Sequence, residues 1–249
     1  MRKSSILVLF LLNLTFINSA LSQKNNAAPL NAFANHIFDG DGYQPLTTLK
    51  WKFKTEGKIF SSPITKSGIV YIGSEDGFLY AIEEKSGNLK WKFKTDGAIH
   101  SSPSIFEDAV FFGSFDGNYY AVNTKTGKQI WKFKTGGEHW MGEKGGGGMK
   151  PETQYMEDLW SFYLSSPVVY QNKKTAQVIF GSSDGNIYSL DTKTGNVNWK
   201  FKTNGPVHGT PVIDKNKVFV GGWDAVLYAL NAETGKEIWH FATSTKIGF

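Results

Sequence analysis

Three histidines stand where a ligand site could form. His100 and His208 occupy matching positions, directly before Ser-Ser-Pro and Gly-Thr-Pro, and His139 lies in a segment without a counterpart elsewhere in the chain. Imidazole rings that come together can bind a metal ion or a polar ligand. The alternative is that each ring is only hydrogen-bonded beside a turn. We predict no metal centre and keep the three histidines as candidate contacts for a ligand or a partner.

Tryptophans form the second group of candidates. Trp140 and Trp160 lie with His139 in the unrepeated segment 136–163, which also contains methionines, and Trp223 lies in the turn Gly-Gly-Trp-Asp-Ala. Loops on a rigid scaffold often carry function. Two interpretations of the segment stay open: a lid that binds a ligand, or a flap that packs over a central opening.

Other reactive residue types are missing or poorly arranged. The chain contains no Cys, which excludes disulfides, zinc–thiolate sites, haem attachment and iron–sulfur clusters. The glycines at 145–148 are not followed by the Gly-Lys-Ser/Thr of a phosphate loop, and Asp39-Gly-Asp41-Gly lacks the further acids of a calcium loop. We therefore predict no catalytic residue. Four aspartates are interpreted as ordinary turn residues: Asp76, Asp116, Asp184 and Asp224.

The elements that position these residues repeat along the chain. The string Trp-Lys-Phe-Lys-Thr begins at Trp51, Trp91, Trp131 and Trp199, and a relaxed copy, Trp-His-Phe-Ala-Thr, begins at Trp239. The interval is 40 residues except between Trp131 and Trp199, where it is 68, so one unit carries a 28-residue insertion. Ser-Ser-Pro and Gly-Ser-x-Asp-Gly recur in step, which identifies a repeat protein.

Each repeat is predicted to form four short antiparallel strands. In the first repeat we expect strands at 59–64, 69–72, 78–82 and 89–94. Alternating β-branched and aromatic residues favour strands over a helical solenoid of the same period. Four such strands in about 40 residues are typical of a β-propeller blade. The predicted fold class is all-β, a partial propeller of about four complete blades plus one extra N-terminal outer strand at 49–55.

The lysines of the repeated string fall on the opposite face of the outer strand from Trp and Phe. An outer strand is an exposed edge, where lysine discourages pairing with other sheets. We interpret these lysines as a solvated rim, with a polyanion-binding belt as the alternative. The net charge of +5 is spread along the chain, and no nucleic acid partner is predicted. The rim lysines are Lys52, Lys54, Lys92, Lys94, Lys132, Lys134, Lys200 and Lys202.

One longer motif resembles a known family. The stretch Ala-x-Asn/Asp-x-x-Thr-Gly-x-x-x-Trp stands at 121–131 and 229–239, with close variants at 81–91 and 189–199. It resembles the tryptophan-docking motif of the pyrroloquinoline-quinone (PQQ) type β-propellers, which include quinoprotein alcohol dehydrogenases and BamB-like outer-membrane assembly factors. The resemblance implies that each Trp packs between neighbouring blades and that Thr-Gly makes the preceding turn. It specifies the fold more than the function.

The predicted organisation starts with an export signal. Arg2 and Lys3 precede an apolar run too short to span a membrane, so residues 1–22 are predicted to be a signal peptide. A polar segment at 23–48 and a propeller domain at 49–249 follow. No transmembrane segment is predicted, and we expect the protein in the periplasm or outside the cell. The predicted blades span 57–95, 97–135, 161–203 and 205–243, with the insertion at 136–163.

The predicted strands do not close a ring. Residues 244–249 are too few to supply the three inner strands that the strand at 49–55 lacks. We interpret the chain as a C-terminally shortened propeller and keep a closed four-bladed ring as the alternative. An open arc exposes aromatic sheet faces, which predicts self-association or completion by a partner.

Two functions remain open at this stage. The resemblance to BamB-like members implies a non-enzymatic scaffold that binds envelope or secreted protein partners. The resemblance to quinoprotein dehydrogenases implies an oxidoreductase that takes PQQ with calcium. The adjacent cysteines expected near that cofactor are missing, and its calcium ligands cannot be assembled at matching positions. We therefore favour the scaffold and predict no cofactor.

Overall fold

The described part of the protein is built from short β-strands. The computed structural model describes residues 49–138, 140–141, 156–157 and 164–243. These ranges contain no helix, and therefore none that is long and apolar enough to cross a membrane. They contain four antiparallel sheets of four strands, and in each sheet the strands pair in chain order.

Each four-stranded sheet is one blade, in which hairpin turns connect consecutive strands. A separate two-stranded ladder lies between the second and third blades in sequence. The strands are, in blade 1, β1 (Ile64–Lys66), β2 (Ile69–Gly73), β3 (Phe78–Glu83) and β4 (Leu89–Lys94); in blade 2, β5 (Ser104–Phe106), β6 (Ala109–Ser114), β7 (Asn118–Asn123) and β8 (Gln129–Lys134); in the ladder, β9 (Trp140–Met141) and β10 (Met156–Glu157); in blade 3, β11 (Val168–Gln171), β12 (Ala176–Gly181), β13 (Asn186–Asp191) and β14 (Val197–Lys202); and in blade 4, β15 (Val212–Asp214), β16 (Lys217–Gly221), β17 (Val226–Asn231) and β18 (Glu237–Ala242).

The outer strands show why the repeated string alternates. In β4, Trp91 and Phe93 are half-buried against the next blade, whereas Lys92 and Lys94 on the other face are exposed. The same alternation leaves all eight rim lysines exposed. Some of them still make a specific bond, since the Lys94 ammonium group donates to the carbonyl of Asp76 at 2.7 Å.

Neighbouring blades pack face to face through apolar side chains. One apolar cluster lies at each of the three junctions, and it takes residues from both blades. Between blades 2 and 3, the Tyr119 ring stacks on Phe180 with 3.5 Å between ring centroids. The Tyr119 hydroxyl donates to the carbonyls of Ser165 and Gly181 at 2.7 and 3.1 Å. Burying an aromatic or aliphatic side chain in such a junction stabilises the fold by about 1.5 to 3 kcal/mol.

Each docked tryptophan closes one junction. The Trp131 indole N–H donates to the Thr192 carbonyl of the next blade at 3.0 Å. A Cβ on Gly195 would lie 2.8 Å from that indole, and Gly195 has a φ of +73°. Glycine is therefore required at this turn both for space and for backbone conformation. Trp91 and Trp199 dock in the same way on blades 2 and 4. The predicted fold class, a partial propeller of four-stranded blades with docked tryptophans, is confirmed.

Two strand predictions are wrong. No strand covers 59–63, and β1 begins only at Ile64, because Pro63 has no N–H to donate and the Ser61 hydroxyl bonds the N–H and the carbonyl of Gly73 in place of a ladder. Residues 49–55 also form no strand. Their sequence matches that of a true outer strand, but no strand among the described residues pairs with them.

The described blades form an open stack rather than a closed four-bladed ring. The docking position on blade 1 is taken by Trp51, whose indole donates to the Glu84 carbonyl at 2.7 Å. Trp239, at the other end, is 41% exposed, whereas Trp131 and Trp199 at the same repeat position are 7% and 8% exposed. Blade 4 therefore presents a docking tryptophan that no described blade receives.

Candidate functional site

The Ser-Ser-Pro motifs hold the inner ends of the blades together. In blade 2, the Ser101 hydroxyl donates to the Gly113 carbonyl and accepts from the Gly113 N–H, at 2.9 and 2.8 Å. The next serine links blades, since the Ser102 N–H donates to the Ser166 hydroxyl at 2.8 Å. Ser102 itself accepts from the Ser62 N–H at 2.8 Å. These hydroxyls are structural, because each satisfies backbone groups either within a blade or across a junction.

The turn aspartates connect each blade to the one before it. Asp116 accepts from the N–H of Asn118 in its own turn at 3.0 Å and from the Tyr120 hydroxyl at 2.6 Å. It also accepts from the N–H of Asp96, where the preceding blade ends, at 3.2 Å. Burial first, and then the bond to Asp116, raises the pKa of Tyr120. Asp184 and Asp224 accept the same three bonds, and Asp76 accepts them from its own turn, from Tyr80 and from Glu56 at the end of the segment that precedes blade 1.

His100 is buried within the junction between blades 1 and 2. Its ring lies 4.5 Å from Phe60 and 5.3 Å from Phe115, measured between ring centroids. Phe115 occupies the variable position of the Gly-Ser-x-Asp-Gly turn. His100 therefore contributes to packing at this junction.

His208 occupies the equivalent position in blade 4. Its ring lies 5.0 Å from Trp223, and its Nε2 lies 2.9 Å from the Ser183 hydroxyl of blade 3. Trp223 and Ser183 both occupy the variable turn position that Phe115 fills in blade 2. The sequence-predicted His208 and Trp223 are thus brought together, with Ser183 as a neighbour that the sequence analysis did not identify.

Glu138 completes this group from the start of the unrepeated segment. Its carboxyl group is fully buried, accepts from the Ser182 hydroxyl at 2.6 Å, and lies 3.3 and 3.4 Å from the Ser183 N–H and hydroxyl. Burial raises the pKa of Glu138 to about 7, although the bonds from Ser182, Thr135 and Ser183 act in the opposite direction. The Ser183 hydroxyl therefore lies between a carboxyl group and an imidazole.

This arrangement differs from a hydrolytic triad. In a triad the imidazole lies between the hydroxyl and the acid, and the hydroxyl faces the substrate. Here Ser183 lies between Glu138 and His208, and all three side chains are buried. The group fixes the start of the unrepeated segment against the turn of blade 3. No group of three His, Asp or Glu side chains that could hold a metal ion occurs within the described ranges.

The remaining sequence candidates fall largely outside the described residues. His139 and Trp160 lie there entirely. Trp140 belongs to β9, where its backbone pairs with Glu157 of β10. The structure therefore brings His208 to Trp223 and places His100 in a different junction.

A larger exposed surface lies on blade 4, on the side where a following blade would pack. We call it the blade 4 face: Val212, Phe219, Leu227, Trp239 and Phe241. The equivalent side chains in blade 1 are covered by blade 2: Ile64 is 8% exposed, whereas Val212 is 58% exposed. Phe241 is 60% exposed. A contiguous apolar surface of this kind is typical of a site that contacts another protein.

Comparison with known proteins gives a consistent result. The family model described as outer membrane protein assembly factor BamB matches residues 43–146 and 135–248. BamB from Moraxella catarrhalis has a TM-score of 0.60 and 18% identity, over 78% of this chain and 56% of that one. The quinohemoprotein alcohol dehydrogenase from Comamonas testosteroni has a TM-score of 0.55 and 18% identity, over 74% of this chain and 35% of that one.

The chain is also similar to a designed protein. The computationally designed Ika4 protein has a TM-score of 0.52 and 16% identity, over 72% of this chain and 93% of that one. No curated protein matches the chain. The chain spans 56% of the length of the Moraxella BamB and 35% of that of the dehydrogenase. These structural likenesses establish the fold. Since the family model covers most of its length, the chain belongs to the BamB-like family of PQQ-type β-propeller repeat proteins.

Proposed function

We propose that the protein is an exported, non-enzymatic scaffold that binds protein partners of the cell envelope through the blade 4 face. The observation that carries the proposal is the exposure of this face, which has the side chains of an inter-blade junction but is covered by no blade in the described part of the chain. Trp239 and Phe241 are its largest exposed members. Aromatic side chains of this size are the usual anchors of protein interfaces.

The polar groups of the turns support a structural role. The turn aspartates accept hydrogen bonds from their own turns, from tyrosine hydroxyls and from the preceding blade, as Asp116 illustrates. Calcium needs several oxygen ligands that converge on one point. The turn aspartates instead lie one at each junction and are used in its hydrogen bonds, so these residues do not fit a PQQ–calcium site.

A quinoprotein oxidoreductase is the second candidate, since a dehydrogenase of that kind shares the fold. A spectral titration of the purified full chain with PQQ and calcium separates the two functions. Stoichiometric uptake of PQQ would contradict the scaffold. An unchanged spectrum at PQQ concentrations that saturate a control quinoprotein is the expected result.

Capture from envelope extract tests the scaffold directly. We expect partner proteins to be captured by the wild type and lost with Phe241→Glu, because a carboxylate at the centre of an apolar contact must be desolvated without a partner. His240→Glu is the matched control, since His240 is exposed and lies opposite Tyr228, which faces blade 3, on the other face of the same strand. Equal capture by the two variants and the wild type would contradict binding through the blade 4 face. Separation of envelope fractions tests the predicted export.

A further inference from the structure

Blade 1 already carries an occupied docking site for a Trp-x-Phe segment. We call this the blade 1 docking site, formed by Asp76, Tyr80, Glu84 and Gly87. The Trp51 indole donates to the Glu84 carbonyl at 2.7 Å, and a Cβ on Gly87 would lie 2.8 Å from its ring. The two residues that complete the contact are Phe53, 5.4 Å from the Tyr80 ring, and Glu56, whose N–H donates to Asp76 at 3.0 Å.

These contacts reproduce those between consecutive blades. At the next junction the Trp91 indole donates to the Thr124 carbonyl at 3.0 Å, and the Phe93 ring lies 5.5 Å from Tyr120. The segment 49–55 therefore occupies the place of the outer strand of a preceding blade. It supplies only this one stretch of chain, which forms no strand because it pairs with no sheet within the described residues.

The receiving surface of blade 1 is less completely covered than that of the later blades. Ile59 is 45% exposed, whereas Ile99 and Val207 at the same repeat position are 0% and 1% exposed. A preceding blade covers Ile99 and Val207, whereas among the described residues no blade precedes Ile59, only the stretch 49–58. Blade 1 thus has room for a complete blade in place of the single segment.

The blade 4 face carries the chemical groups that this site takes. Trp239, Phe241 and Thr243 repeat the Trp, Phe and Thr of the segment that now occupies the blade 1 docking site. They belong to a complete four-stranded sheet that also offers Val212 and Leu227 to the uncovered part of blade 1. One blade can therefore replace the contacts of the segment and add further apolar burial.

We propose that the blade 4 face of one copy of the chain docks on blade 1 of a second copy, with Trp239 displacing Trp51 from the blade 1 docking site. The contact is head-to-tail, so it joins copies into a ring or an open chain. The inference rests on the proposed function, because it assigns a partner to the same face. Its chemistry is that of the three junctions already present within each copy.

Trp51 and Trp239 compete for the blade 1 docking site, so replacing one should have the opposite effect on association from replacing the other. The purified full chain is expected to associate in a concentration-dependent manner, measured by analytical ultracentrifugation. Trp239→Ala should weaken the association by about 30-fold or more, the scale of an interface tryptophan. Trp51→Ala should strengthen it, because the site on blade 1 is then empty. The controls are His240→Ala and Lys52→Ala, which change the opposite faces of the same two segments.

The outcomes distinguish this inference from the proposed function. A monomer at all concentrations, or a Trp51→Ala variant that associates no more strongly than wild type, would overturn docking between copies. Phe241→Glu provides a second disruption at a more exposed position, and circular dichroism checks that each variant folds. If the protein is monomeric but still captures envelope proteins in a manner that depends on Phe241, docking between two copies is overturned. The scaffold function is then still supported.

Discussion

Replacing Glu138 by glutamine is expected to remove a pH dependence that this carboxyl group gives to the stability of the fold. The side chain is fully buried, and burial raises its pKa from 4.5 to about 7. In the unfolded chain the carboxyl group ionises with its ordinary pKa. Between about pH 4.5 and pH 7 the folded protein therefore keeps a proton that the unfolded chain releases, so stability falls as the pH rises.

The magnitude follows from the two pKa values of Glu138. A tenfold change in proton affinity corresponds to about 1.4 kcal/mol, so the difference between 4.5 and about 7 destabilises the folded state by about 3 kcal/mol at high pH. Glutamine avoids this loss but turns an amide towards the Ser183 N–H, which costs about 1 kcal/mol at every pH. Asp184, Tyr119 and Tyr188 are titratable groups that also interact with this carboxyl.

Urea unfolding of the wild type and Glu138→Gln from about pH 5 to about pH 8 checks the sign and the size of the effect. The difference in the free energy of unfolding between the variant and the wild type should shift in favour of the variant by about 2 to 3 kcal/mol across this range. The shift should level off above about pH 7. Glu233→Gln, at an exposed carboxylate, is the control and should track the wild type. A constant difference between Glu138→Gln and the wild type at all pH values would refute the reasoning.

Two further predictions concern the junctions between blades. Asp116→Ala should reduce the free energy of unfolding by about 2 to 4 kcal/mol, because a largely buried tyrosine hydroxyl and two N–H groups lose their acceptor. Urea unfolding measures this loss. As the control, Asp108→Ala changes an exposed side chain and should stay within about 1 kcal/mol of wild type. Gly127→Ala should lower the melting temperature more than Gly68→Ala: both glycines have positive φ, but a Cβ at 127 would lie 2.8 Å from the Trp91 ring and one at 68 would meet nothing within 4 Å. Equal losses in either pair would contradict the assigned contacts.

The blade architecture is readable from sequence because each blade repeats the same local pattern. The constant interval between Trp91 and Trp131 identifies the repeat, and the alternation of Trp91 with Lys92 assigns the two faces of the outer strand without any knowledge of the neighbours. The packing of each Trp between neighbouring blades was implied by the resemblance to the PQQ-type propellers, and the structure adds that the indole docks on the turn of the next blade. These features depend on short-range sequence, which a single chain displays in full.

The errors occur where a strand depends on what lies beside it. The segment 49–55 has the same Trp-Lys-Phe-Lys-Thr string as β4, yet only β4 has a strand next to it with which to form a ladder. At 59–63 the apolar pattern suggests a strand, but the Ser61 hydroxyl makes the bonds to Gly73 that a strand would make. Composition alone cannot distinguish a backbone that pairs with a strand from one that pairs with a side chain.

The polar group around Glu138 was missed for a different reason. Glu138 lies in the only unrepeated segment of the propeller, and its partners Ser182 and Ser183 are 44 and 45 residues away. The repeat nevertheless offers a signal, because a position that varies among otherwise equal units is free of the shared structural requirement. The variable turn position is Ser183 in one blade and Trp223 in the next, and both contact His208, itself at a variable position. Positions that depart from the repeat and meet across a junction therefore indicate where polar side chains contact each other in this fold. On that basis the sequence alone could have paired Ser183 with His208, although not with Glu138.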